Sequence, residues 1–169
     1  MVEIMSFGKY FRNSIEQIAF KDYNYFAKFL VDDLLKNKKI KKSSLEKRME
    51  FVEDKLNNFK SAQPCGKNGC KNISRLISIY TSLYNGEKTS STQFVYCSRE
   101  CFENDPKVTI QIEKVNLVPL KFRSGLFKTK ADTNEIINVM TQCIGLDIKK
   151  NKLTKEYLED FVDKLPTLH

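Results

Sequence analysis

Four of the five cysteines fall in two short pairs, Cys65 and Cys70 in Pro64-Cys-Gly-Lys-Asn-Gly-Cys70, then Cys97 and Cys101 in Tyr96-Cys-Ser-Arg-Glu-Cys-Phe102. Each pair can present two thiolates from one tight turn. The 26 residues between the inner cysteines are enough for a hairpin that brings the pairs together. The pattern predicts a tetrahedral structural Zn²⁺ site with Cys65, Cys70, Cys97 and Cys101 as ligands; two disulfides are the competing reading. The odd cysteine count favours reduced thiols, and so does the start Met1-Val-Glu-Ile-Met-Ser6, which lacks a basic region followed by an apolar stretch. Both point to an intracellular protein, in the cytoplasm or nucleoid. A closed four-thiolate site leaves no open coordination position, which favours a binding module over an enzyme.

The residues around the cysteines support the site. Gly66 and Gly69 can take positive φ, letting backbone N–H groups turn toward the sulfurs and stabilise thiolate charge. The second pair follows a strand-like stretch, so Cys97 is expected at a strand end and Cys101 on the first turn of a helix. A knuckle, a hairpin, then a helix carrying the last ligand resembles the treble-clef zinc finger over residues 65–101. Cys143 lies on an apolar helix face and reads as a core residue.

The flanking chain is mostly helical in pattern. Val2 to Tyr10 reads as a short strand or hairpin entry, and Ser14 caps a short helix carrying Ile15, Ile18 and Ala19. Asp22 caps a second helix, Tyr23 to Asn37, whose apolar positions Tyr23, Phe26, Ala27, Leu30 and Leu34 recur at steps of three and four. Ser43-Ser-Leu-Glu46 is a capping box opening a helix to about Phe59, with Leu45, Met49, Val52 and Leu56 on its inner face. Leu76 to Leu83 and Gln93 to Tyr96 read as paired strands; residues 84–92 between them are the one stretch polar enough to suggest disorder. Val108 to Glu113 alternates as a strand, and Val115 to Phe122 is expected to pair with it, at an edge or bulge because of Pro119. Asp132-Thr-Asn-Glu135 opens a helix through Ile144, and Thr154 opens a last helix stopped by Pro166.

These elements give an α+β fold in three segments packed as one compact body. Residues 1–60 form a helical unit with a short hairpin, residues 61–105 the Cys₄ finger, and residues 106–169 a strand and two-helix unit. No apolar run approaches the roughly 18 residues of a membrane span.

The net charge is +8 and the pI about 9.2, which suits an anionic partner. The excess is uneven: 13 basic against 9 acidic side chains in residues 1–60, 6 against 1 in residues 106–130, and near balance in residues 61–105, with 5 against 4. The candidate nucleic-acid contacts are therefore Lys9, Tyr10 and Arg12 in the first turn, Lys38, Lys39, Lys41 and Lys42 in a basic linker, and Lys121, Arg123, Lys128 and Lys130 in a later loop. Most would contact phosphate and carry no sequence information. In the first turn Gly8 allows close backbone approach, Lys9 and Arg12 supply charge, and Tyr10 or Phe11 offers a ring for base stacking.

The stretch Ser6-Phe-Gly-Lys-Tyr10, Ser14-Ile-Glu-Gln-Ile-Ala19, Asp22-Tyr-Asn-Tyr-Phe26 and Phe29-Leu30 resembles the C-terminal domain of exodeoxyribonuclease X-type proteins, over about residues 5–35. The family usually has Lys-Gly after the tyrosine and Pro-Gly after the aspartate, where this chain has Phe11-Arg12 and Tyr23-Asn24. The resemblance implies an accessory DNA-binding role in DNA processing, not nuclease chemistry.

No catalytic residue is assigned. Asp32-Asp33 and Glu53-Asp54 are adjacent on helices and diverge by about 100°. The one histidine is the final residue, and no phosphate-cradling loop or nucleophile elbow is present. Zn²⁺ is thus the expected cofactor and nucleic acid the expected partner, with DNA favoured over RNA and a protein partner in a DNA-processing complex allowed. Two other readings stay open. One is a protein–protein adaptor using Tyr80, Tyr84, Phe127 and the acidic helix of Glu156, Glu159 and Asp160; the other is an RNA- or ribosome-associated factor.

Overall fold

The structure, a computed structural model, describes residues 3–6, 8–36, 43–84, 87–106, 108, 115–122, 138–147 and 153–168. Two compact units are present, one of Met1–Phe59, Lys121–Leu126 and Ile148–His169, the other of Lys60–Leu120 and Phe127–Asp147. Helices, together with a small antiparallel sheet, make the chain α+β.

The first unit is helical. The chain enters through a short antiparallel pairing in which the Met5 N–H donates to the Asn13 carbonyl and the Arg12 N–H to the Met5 carbonyl, both at 2.9 Å. Gly8 and Arg12 take positive φ of 77° and 69° in the intervening turn. Helix α1 (Ile15–Lys21) starts at Ser14, whose hydroxyl accepts the Gln17 N–H while the Gln17 side chain accepts the Ser14 N–H. Helix α2 (Tyr25–Lys36) is capped by Asp22, whose Oδ1 accepts the Tyr25 N–H at 3.1 Å.

Helix α2 is wound with π-type i→i+5 hydrogen bonds, which widen the turn beyond the ~3.6 residues of an α-helix. Its buried side chains accordingly recur at steps of four and five: Phe26, Leu30 or Val31, and Leu35. The expected inward position Leu34 is only half-buried, because the wider turn rotates Leu35 onto the core face instead.

Helix α3 (Ser44–Asn57) begins at Ser43, whose hydroxyl accepts the Glu46 N–H, and buries Met49, Val52 and Leu56; Leu45 is half-buried. After α3, the Leu168 N–H donates to the Asn58 carbonyl at 2.7 Å, which ties down the tail that follows the last helix. That helix, α5 (Lys155–Lys164), starts at Thr154 and buries Leu158 and Val162; Tyr157 and Phe161 are half-buried. Phe122 fills the middle of the unit, with Tyr23, Phe59 and Phe20 rings at centroid distances of 5.2, 6.1 and 6.2 Å. The buried Tyr23 hydroxyl donates to the Phe122 carbonyl at 2.7 Å, so this ring carries no orphaned polar atom. Arg48 joins three helices: Nε meets the buried Glu16 carboxylate on α1 and Nη1 meets Asp163 on α5, both at 2.6 Å.

The second unit is built on a sheet of order β2-β1-β3, with β1 (Leu76–Tyr84), β2 (Glu87–Tyr96) and β3 (Val115–Pro119). One expectation is corrected here. Residue 84 and residues 87–92 are strand, not a disordered connection: β2 starts at Glu87, and pairing with β1 runs down to Tyr84 opposite Glu87. The Ser/Thr-rich run of β2 looks like a loop by composition, but the antiparallel ladder it forms depends on backbone groups. Val115–Pro119 pairs with β1, the central strand of the sheet, Leu76 opposite Pro119 and Tyr80 opposite Val115. Pro119 does sit at an edge, where its missing N–H is harmless. Of the proposed partner Val108–Glu113, only Val108 is described; it is buried in a turn.

The β1–β2 ladder shifts register between Ile77 and Ile79. There the buried Ser78 hydroxyl accepts the Phe94 N–H at 3.1 Å and donates to the Phe94 carbonyl at 2.9 Å, standing in for the ladder bonds that the bulge interrupts. Helix α4 (Arg99–Glu103) follows β2 directly, with Ser98 as its N-cap. Residues 138–143 are helical and bury Met140 and Cys143; the Cys143 carbonyl accepts the Ala62 N–H at 2.7 Å. Asp132–Ile136 and His169 lie outside the described residues. Among the described residues no helix is long and apolar enough to cross a membrane.

Candidate metal centre

The two cysteine pairs converge in the second unit. The Pro64–Cys70 loop is pinned at both ends: Pro64 and Ile73 form an isolated bridge, and the Cys65 N–H donates to the Asn72 carbonyl at 2.8 Å. Within it the Cys70 N–H donates to the Lys67 carbonyl at 3.1 Å, and Gly69 takes a φ of +81° to close the turn. Gly66 has a different job from the one expected. Its φ is not positive; its N–H donates to the Val95 carbonyl of β2 at 2.7 Å, and a Cβ there would come within 3.0 Å of the same oxygen. A glycine at that position lets the knuckle backbone lie directly against the strand that delivers the second pair. Cys97 follows the last residue of β2, and Cys101 is the third residue of α4, as the spacing implied.

The four Sγ atoms all lie within 4.8 Å of one another. Cys97 is 3.4 Å from Cys101, Cys70 is 3.6 Å from Cys97, and Cys101 is 3.8 Å from Cys70. A regular tetrahedron of thiolates about 2.3 Å from a central ion has edges of about 3.8 Å. A disulfide would need about 2.05 Å, so none of these sulfurs is bridged to another. The donor set therefore fits a metal ion and does not fit two disulfides. Among the described residues no other group of three or more Cys, His, Asp or Glu side chains converges in this way.

The surroundings favour shared thiolate charge. Burial pushes the Cys65 thiol up, partly offset by backbone N–H groups of Lys67 and Cys97 directed at its sulfur, and Asn72 Nδ2 lies 3.9 Å from the Cys97 sulfur. Burial opposes ionisation of Cys97, yet hydrogen bonds with Cys101, Cys70, Cys65 and Ser98 bring it down to about 7. Cys101 is correspondingly pushed up to about 12, chiefly by its hydrogen bond with Cys97. Beneath the site the Tyr96 ring meets Phe102 edge-on at 5.4 Å, and its buried hydroxyl donates to Asp105 at 3.0 Å. Cys65, Tyr96, Phe102 and Val108 form one buried cluster, so the ligand-bearing backbone rests on a packed base. Cys143 is 1% exposed and takes no part in the site.

The other residues singled out from the sequence are spread more widely. Lys9 stays exposed, with its ammonium 3.1 Å from Asp22 and 4.9 Å from the Tyr10 ring centre. Tyr10 is 9% exposed and donates its hydroxyl to Asp22 at 2.8 Å; this locks the ring into the fold and leaves it no face for a base. Phe11 is 55% exposed, and the Arg12 guanidinium lies 5.2 Å from its ring centre. Lys121 lines a small cleft in the first unit with Asp32, Lys36 and Glu53, where Lys36 reaches Asp32 at 2.8 Å and Glu53 at 3.9 Å. Lys38, Lys39, Lys41, Lys42, Arg123, Lys128, Lys130 and Phe127 lie outside the described residues, as do the side chains of Tyr80 and Tyr84. On α5 Asp160 pairs with Lys164 and Asp163 with Arg48, so part of that helix's negative charge is matched within the unit.

The sequence reading missed a groove of about 710 Å³ beside the cysteines, lined by Lys60, Lys67, Lys71 and Arg75. Its signal was available in the four-residue spacing of the last three, but near balance of charge over residues 61–105 concealed it.

In comparisons with protein-family models, curated proteins and solved structures, nothing matches this chain.

Proposed function

We propose that this chain is a zinc-stabilised nucleic-acid-binding protein, acting as a DNA-binding accessory factor in DNA processing. The observation that carries the reading is the sulfur tetrahedron. Four thiolates and no neutral ligand suit Zn²⁺ held for structure, leaving no coordination position for a substrate. Bound there, the ion would supply folding energy, while Cys65, Cys70, Cys97 and Cys101 fix the knuckle to the hairpin and to α4. The reading takes the order of knuckle, hairpin and ligand-bearing helix as a treble-clef finger, which the resemblance of residues 65–101 implies.

Nucleic acid is supported by the charge of +8 and by the first turn. There Arg12 lies beside the exposed Phe11 ring and the exposed Lys9 ammonium is in the same turn, a combination that serves phosphate contact and base stacking together. DNA rather than RNA follows from the resemblance of residues 5–35 to the exodeoxyribonuclease X-type C-terminal domain.

The test is metal analysis of the purified chain followed by binding to single-stranded DNA, duplex DNA and RNA across a salt series. The reading expects zinc at one per chain and DNA affinity that falls by orders of magnitude between about 50 and 200 mM salt, as it does when about six or more phosphates are contacted. A flat salt response, or no binding to any of the three probes, would reject it.

A further inference from the structure

We infer that the groove beside the cysteine cluster is a phosphate-binding track for a nucleic-acid backbone, with Lys60, Lys71 and Arg75 as its contacts. This inference rests on the nucleic-acid reading above and names the site that serves it.

Three observations carry it. First, the groove is strongly one-signed: Lys60, Lys67, Lys71 and Arg75 line it against a single carboxylate, Glu100. Lys9, Lys36, Arg48, Arg99 and Lys164 each sit within 4.0 Å of a carboxylate, whereas none of the four groove cations has an ion pair among the described residues. Unpaired like charges gathered in one concave surface repel one another, and an arriving anion relieves that repulsion.

Second, the backbone that carries three of the cations is held in place. The Lys67 carbonyl accepts the Cys70 N–H, the Asn72 carbonyl next to Lys71 accepts the Cys65 N–H, and the Arg75 N–H donates to the Tyr96 carbonyl at 2.7 Å. Three of the four cationic positions thus lie at or beside backbone bonds that the metal site organises. Preorganised charge of this kind loses less entropy on binding than charge on a free loop.

Third, the charge exceeds what the metal centre requires. A dication held by four thiolates keeps a net double negative charge, and nearby cations offset it. Lys67, the half-buried member, is placed for that task. Lys60, Lys71 and Arg75 are exposed and face solvent, and the four cations together outnumber Glu100 and the cluster charge combined. Ile73, at 40% exposed, offers an apolar contact for a sugar or base in the same groove.

The track is tested on the zinc-loaded full chain by fluorescence anisotropy with labelled single-stranded DNA, duplex DNA and RNA over a salt series. The double variant Lys71→Glu/Arg75→Glu is compared with Lys47→Glu/Lys164→Glu, which changes net charge equally on exposed helix positions. The inference expects the groove pair to weaken binding by about tenfold or more. It also expects the log–log salt slope to fall by about 1.4 for a single strand, ~0.7 for each phosphate no longer neutralised, with the helix pair changing affinity less than about threefold. Zinc content should stay at the wild-type level. If the charge reversals lower it, the neutral pair Lys71→Gln/Arg75→Gln is read by the same criterion at full zinc occupancy. Wild-type binding with an unaltered groove variant would overturn the track and leave the nucleic-acid function standing. Absence of wild-type binding to every probe would overturn both.

Discussion

Gly66 and Val95 are in direct backbone contact: the Gly66 N–H donates to the Val95 carbonyl at 2.7 Å, and a Cβ on Gly66 would sit 3.0 Å from that oxygen. This contact couples the first cysteine pair to the strand that leads into the second. Gly66→Ala must push knuckle and strand apart, at a cost of about 1–3 kcal/mol in the second unit, with weaker metal retention. Gly69→Ala meets no atom within 4 Å and costs about 1–2 kcal/mol for its left-handed backbone alone. Gly69→Asn should recover much of that loss and Gly66→Asn none. Competition with a chromophoric chelator measures the difference; equal metal retention in both alanine variants would contradict it.

A second prediction concerns the first unit. Glu16 is 1% exposed and depends on Arg48 for its charge partner. Arg48→Ala should therefore cost about 3–5 kcal/mol in urea unfolding, because it leaves a buried carboxylate unpaired. Asp163→Ala removes the half-exposed partner of the same guanidinium and should cost about 1 kcal/mol or less. Similar losses from both would show that Glu16 is not the energetic centre of this network.

Asp22 gives the unit an acid sensitivity. Burial pushes its carboxyl upward, but hydrogen bonds from the Tyr10 hydroxyl, the Tyr25 N–H and the Lys9 ammonium outweigh that and hold it below its ordinary value. A depressed carboxyl stabilises the fold above its unfolded pKa, and the contribution is lost as pH falls through the folded one. Wild-type stability should thus drop as the pH falls below about 4, and Asp22→Asn should be less stable at pH 7 with a flatter profile in that acid range. Parallel profiles for the two proteins would remove Asp22 from this role.

The cysteines should separate into two classes. Burial, partly offset by a hydrogen bond with Ser61, pushes the Cys143 thiol up to about 11, so it should resist a thiol reagent at pH 8. Chelation should then expose four reactive thiols, and denaturant the fifth. Simultaneous reaction of all five on chelation would contradict the separation of Cys143 from the centre.

Some of these features were legible in the sequence and others were not. The ligands were, because short cysteine spacing restricts geometry before folding begins. So were Ser14, Asp22, Ser43 and Thr154 as caps, since a side-chain oxygen beside orphan N–H groups acts locally. Leu35 was not: the outward rotation of Leu34 follows from π-winding of α2, which no local pattern announced. The pairing of Val115–Pro119 with β1 was hidden because strand pairing is a long-range choice. Tyr10 and Phe11 read alike in the sequence because the burial of Tyr10 depends on Asp22, 12 residues away. The basic groove was averaged away by counting charge along the chain instead of across a surface.

The central claim is a metal ion held by Cys65, Cys70, Cys97 and Cys101, and native mass spectrometry of the full chain, purified without added metal, tests it most directly. The account predicts one zinc per chain under native conditions and, after denaturation, a mass with all five thiols reduced. A metal-free chain lighter by four hydrogens, with Cys65, Cys70, Cys97 and Cys101 joined in two disulfides, would contradict it.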